Sequence, residues 1–182
     1  MMSVRKQLNV RKQCSKSQFC PLVASGLIRA FAAQQMADSR SQSPLTDKVT
    51  SAERGHRGEV FLIIENHLPT QDAYHIDCRE RAVDLFSEYR VWDTEENTGV
   101  LVYVNICEHQ LEIVADRGIS AHVSPTVWRA MCEKAVSGIA NKNTEESLAE
   151  LLDEVGQVLR QYYHLENNPA GNELSDTVVF LK

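Results

Sequence analysis

No Cys-x-x-Cys pair occurs among the five cysteines, and no Cys or His pair has the spacing of a zinc finger. The odd count argues against a disulfide framework. Cys78, Cys107 and Cys132 lie in apolar periodic segments, which suits buried, reduced thiols. No apolar stretch reaches the ~20 residues that span a bilayer. The sequence holds no GxSxG, P-loop, HExxH or GxGxxG, so no oriented nucleophile or phosphate-cradling loop is visible. Aromatic residues are few, at 7%, so the core must be built from Val, Ile and Leu.

Charge is present but unevenly spread. Of 19 basic and 25 acidic residues, the first forty hold seven and one, which leaves 12 and 24 for the rest. An acidic domain behind a basic arm excludes nucleic-acid binding through the folded part. The arm itself, residues 1–42, has the composition of a disordered tail and suits weak contact with an anionic membrane surface. "FCPLVASGLI", residues 19–28, follows a basic region, and "AFA" at 30–32 resembles a cleavage site. Pro21 and Arg29 break that template, so the expected location is cytoplasmic. Export is the alternative if residues 1–32 act as a signal.

The folded domain is expected over residues 43–178. Ser43-Pro44 reads as N-cap and first residue of a helix reaching about Arg54. "GEVFLIIE", 58–65, reads as a buried strand, and Asp77 to Tyr89 as a helix patterned by Val83, Phe86 and Arg90, with Ala82, Leu85 and Tyr89 beside them. "GVLVYVNI", 99–106, and "LEIVADRG", 111–118, read as a hairpin. Ser124-Pro125 starts a helix to about Ile139, with Val127, Trp128, Met131 and Ala135 on one side. Thr144 starts another, striped by Leu148, Leu151, Leu152, Val155, Leu159 and Tyr162. A short strand-like piece ends the chain. A helix between the first two strands makes them parallel. The result is an α/β fold: a three-layer α/β/α sandwich with a small mixed sheet and helices on both faces.

This topology gathers acids at one edge. The start of the second strand lies opposite the end of the third, and the first strand begins at the same end. His56, Glu59, Asp93, Glu95, Glu96, Asn97 and Asp116 therefore converge. Carboxylate and amide oxygens on a turn suit a hard divalent cation, calcium or magnesium. The spacing Asp93, Glu95, Asn97 offers alternating oxygens along that turn. The plainer expectations are a solvated rim, Asp116 bonding the N–H groups of its own turn, Glu59 paired with Arg57, and Trp92 as a lid over the core.

"GHRGEVFLIIE", "RAVDLFSEYRVWDTEENTGVLVYVNICEHQLEIVADRGI", the helix opening near Trp128, and "NELSD" together resemble the TPM domain, over about residues 44–178. That family is named for a thylakoid lumen protein, a photosystem II repair protein and a nematode receptor modulator. The resemblance is nearest to bacterial members that end in NELxD and lack a membrane anchor. It implies an α/β/α fold, divalent-cation binding and an accessory role in assembling or maintaining membrane complexes, with Asp93 and Asp116 as the acidic positions and Asn97 and Glu59 after them as the expected metal ligands. It also implies a phosphatase as an alternative. A domain that docks an unidentified protein partner through its arm or tail, with no ligand site, is the third.

Overall fold

Seven consecutive buried residues, Glu59–Glu65, form the first strand, β1. A second such run, Gly99–Asn105, forms β2. Strands this apolar on both faces need a helix layer on each side. The computed structural model, which describes residues 44–68, 76–140, 144–164 and 174–181, supplies both. Helix α1 is Pro44–Ala52, α2 is Cys78–Glu88, β3 is Gln110–Ala115, α3 is Arg117–Ser120, α4 is Pro125–Ala140, α5 is Thr144–Tyr163, and β4 is Val179–Leu181.

The sheet order is β3-β2-β1-β4. β1 runs parallel to β2, with Glu59 beside Gly99 and Glu65 beside Asn105. β2 and β3 form the antiparallel hairpin, Val100 opposite Ala115. β4 adds three residues parallel to β1, Ile63 beside Val179. The expected α/β sandwich and mixed sheet are therefore present.

Alternation along each strand divides the core. Val60, Leu62, Ile64, Val100, Val102 and Val104 pack against α1, α4 and α5. Phe61, Ile63, Leu101 and Tyr103 pack against Cys78, Ala82, Leu85 and Phe86 of α2. Asp77 fixes the start of α2 through a capping box with Glu80.

Three readings need correction. The third strand stops at Ala115 instead of reaching Gly118, because Asp116 caps a new short helix, α3. Val83 and Val127 are exposed: the buried face of α2 runs through Cys78, Ala82, Leu85 and Phe86, and that of α4 through Trp128, Ala135 and Ile139. Tyr162 also lies outside, stacked on His122. Cys78 is buried, while Cys107 and Cys132 are half-buried, and all three are free thiols. Burial pushes Cys78 and Cys132 up to about 12, so both are inert at neutral pH. The arm, the Ser43 cap, the "NKNT" break and most of the tail before Leu174 lie outside the described residues.

Candidate functional site at the sheet edge

The acidic turn between α2 and β2 is built from its own backbone outward. Asn97 adopts a left-handed conformation, φ 57°, which asparagine tolerates better than most residues. The Thr94 hydroxyl accepts from the Thr98 N–H at 2.9 Å, and the Thr98 hydroxyl donates to the Arg57 carbonyl at 3.1 Å. Arg57 forms an ion pair with Glu96. These bonds fix the turn against the start of β1.

α3 fixes it from the other side. The Gly118 N–H donates to the Asn97 carbonyl at 3.0 Å, and Arg117 Nε donates to Asn97 Oδ1 at 2.8 Å. Backbone approach here is so close that a Cβ on Gly118 would lie 2.5 Å from the Asn97 oxygen and 2.7 Å from that of Glu96. A glycine is required at that position.

Asp116 joins the two parts. Its N–H donates to the Gly99 carbonyl at 2.9 Å. Its Oδ1 accepts from the Arg117 N–H at 2.7 Å. Its Oδ2 is shut off from solvent and has no hydrogen-bond partner. Among the described residues two other buried side-chain atoms share that condition, His109 Nε2 and Trp128 Nε1. Neither carries formal negative charge, and His109 lies at the far tip of the hairpin. Only at Asp116 does an orphaned buried atom belong to a carboxylate, so only there is the unmet demand for positive charge or a donor large.

The structure thus brings Glu96, Asn97 and Asp116 together around Arg117 and Gly118, with Asp93 and Glu95 exposed on the same turn. It does not bring in His56 or Glu59. His56 is fully buried and faces α1: Nε2 donates to the Ala52 carbonyl at 2.6 Å, and Nδ1 accepts from the Gly58 N–H at 3.1 Å. Both bonds suit the neutral ring, and burial pulls its pKa below the usual histidine value. Glu59 accepts from the Leu174 N–H at 3.4 Å, Arg57 pairs with Glu96, and Glu59 lies two strands from Asp116. Among the described residues no three His, Cys, Asp or Glu side chains are placed to hold a metal ion. Trp92 is no lid: it stands 48% exposed beside the turn.

Sequence reasoning missed a second group of acids. The Val60 N–H on the open part of the β1 edge donates to Glu53 Oε1 at 2.8 Å. Burial above all pushes Glu53 up to about 9, and the neighbouring acids Glu59 and Asp176 add to the rise. The Thr50 hydroxyl donates to Asp176 Oδ2 at 2.5 Å. The signal was the acidic end of "NELSD", but no periodicity ties it to α1. At the opposite end of the sheet Arg81 makes a two-pronged contact with buried Glu65, which also accepts from the Tyr103 hydroxyl at 2.5 Å.

Residues 33–158 match the TPM domain. The chain belongs to the TPM domain family. The TPM match starts ahead of the boundary expected at Ser43 and ends before "NELSD". The fold is similar to the NMR structure of the BA42 protein from the psychrophilic bacterium Bizionia argentinensis, at TM-score 0.67 and 23% identity, over 78% of this chain and 93% of that one. It is also similar to the solution structure of the N-terminal domain of a protein from P. gingivalis, at TM-score 0.55 and 14% identity, over 79% and 85%. No curated protein matches the sequence. Among the described residues of this TPM domain, no helix is long and apolar enough to cross a membrane.

Proposed function

We propose that this TPM domain is an accessory binding module whose acidic edge takes a divalent cation at Asp116, in support of assembling or maintaining a protein complex at a membrane. The observation that carries the reading is the orphaned Asp116 Oδ2 beneath a turn bearing Asp93, Glu95 and Glu96. A cation with irregular oxygen coordination, calcium above all, suits one anchoring carboxylate completed by turn oxygens and water. In this reading Asp116 anchors the ion and Asp93 approaches from the turn. Asn97 contributes only when Arg117 releases its Oδ1, and Glu59 stays with Leu174. The free thiols at Cys78, Cys107 and Cys132 support a reducing, cytoplasmic compartment.

A metal-assisted phosphatase has less support. Arg57 and Arg117 are the arginines placed to meet a phosphate, and both are committed to the acidic turn, on Glu96 and Asn97.

Thermal unfolding of the full chain in EDTA, then with calcium, magnesium or manganese, tests the reading. An ion at 100 times its Kd adds about 2.7 kcal/mol to the folded state, a rise of roughly 5–10 °C for a chain this size. The rise should vanish in Asp116→Asn. No rise with any of the three ions overturns the proposal. Hydrolysis of a small phosphoester that is lost in both Asp93→Ala and Asp116→Ala would replace it with the phosphatase.

A further inference from the structure

We infer that the outer edge of β1 is a strand-docking groove: residues 174–181 fill it as a strap within one chain, and the same residues of a second copy fill it in exchange. The groove lies two strands from β3 and Asp116, so it is separate from the cation reading. The strap's hold is narrow. β4 pairs with β1 at Ile63, Ile64 and Glu65, and each of its three residues is half-buried. One further backbone bond, from the Asn66 N–H to the Leu181 carbonyl, extends that pairing. A strand this short is a weak hold on its own.

Ahead of β4 the ladder gives way to side chains. The Leu174 N–H donates to Glu59 at 3.4 Å, and the Thr50 hydroxyl donates to Asp176 at 2.5 Å. The edge is also prepared for the strap to leave. Glu53 of α1 already occupies the Val60 N–H, so that group stays satisfied when the groove is empty. What an empty groove loses is apolar cover. Val178 is 6% exposed and packs with Phe180 on the core shared by α1, α4 and α5. Leu174, Val179 and Leu181 pack on the α2 side.

An occupant must therefore be extended, apolar toward both faces of the sheet, and carry a carboxylate for Thr50. The strap of a second copy meets all three demands, because it is the same sequence. Reciprocal exchange closes as a two-fold dimer in which every contact is kept. Chain length permits it. His164 pairs with His56 at the start of β1, and Leu174 meets Glu59 at that same end. Those two points on β1 are ~10 Å apart along the strand. A connection as long as 165–173 reaches ~30 Å when extended, so it does not confine the strap to its own copy. In dilute solution the strap's own local concentration, on the order of mM, keeps it at home. Exchange takes over as the chain concentration approaches that value.

The full chain carrying Val178→Asp tests this, because a carboxylate at that buried position expels the strap. The variant is titrated with a labelled synthetic peptide of residues 174–182 and followed by methyl NMR. The peptide should bind saturably and return the Ile63 and Ile64 methyls to their wild-type shifts, while Val100 and Val102 of β2 stay put throughout. The wild type, whose groove is filled, should bind the peptide about tenfold or more weakly. A peptide with the same Val178→Asp change should not bind. Wild-type chain held at mM concentration and then diluted should show a dimer by size exclusion that the variant lacks. A folded variant that ignores the peptide overturns the proposal. So does equal binding by the wild type, a wild type that stays monomeric at mM concentration, or a variant whose β2 methyls show that the whole domain has unfolded.

Discussion

Arg117 Nε lies 2.8 Å from Asn97 Oδ1, so the first residue of α3 holds the acidic turn twenty positions before it. That contact places a guanidinium beside Asp116 and occupies the amide oxygen a cation would use. Removing it should help a cation. Arg117→Ala is expected to tighten calcium binding about five- to tenfold, about 1 kcal/mol for one like charge removed from a partly solvated site. Isothermal titration of the variant against the wild type measures it. Weaker binding in the variant would mean that Arg117 orders the ligands rather than competing with the ion.

The close packing of α3 on the turn makes Gly118 a sensitive position. In Gly118→Ala the new methyl meets two backbone oxygens that have no flexible side chain to yield. The expected cost is about 1–3 kcal/mol, seen as a Tm several degrees lower. Any ion-induced rise should shrink with it, because the Asn97 turn is displaced from Asp116.

The Glu65 network should behave as a unit. Glu65 is almost fully buried and meets Arg81 through three hydrogen bonds. Arg81→Met strands a buried carboxylate, at a cost of about 3–5 kcal/mol. Tyr103→Phe removes one hydrogen bond to a charged group and should cost about 1.5–3 kcal/mol. Adding Glu65→Leu to Arg81→Met should recover part of the loss. Urea titrations of the single and double variants test this non-additivity.

His56 gives an acid-side pH dependence. Its folded pKa lies below the ordinary value of 6.5, so below pH 6.5 the unfolded chain takes up a proton that the folded one refuses. Its contribution is fully present above pH 6.5 and is lost as pH falls toward the folded pKa. A ring titration by NMR should find His56 more than half neutral at pH 6.5, with the proton on Nε2 and Nδ1 accepting from Gly58. A midpoint at or above 6.5 contradicts this.

The fold was legible because its determinants are local. The runs 58–65 and 99–106 are too short and too β-branched for helices, and a helical pattern between them dictates a parallel pair. The hairpin then placed the 93–97 turn beside Asp116, as found. Helix faces were less legible where apolar residues crowd. Val83 beside Ala82, and Val127 beside Trp128, fit a stripe equally well until the sheet selects one neighbour. The site was read by end of sheet but not by direction of side chain. Glu59 and His56 lie at the expected end, yet Glu59 turns to Leu174 and His56 to Ala52. The contact of Thr50 with Asp176 had no signature, since polar contacts across more than a hundred positions leave no period in a sequence.

The sheet's order has a consequence for how the chain is made. β1 leaves the ribosome before the other three strands, yet Val179, which completes its outer edge at Ile63, follows 116 positions later. For most of synthesis that edge is an open template for another chain. Glu53 comes off the ribosome before Val60 and can occupy its N–H as soon as α1 and β1 meet. That carboxyl thus guards part of an unpaired strand against neighbouring chains on the same message.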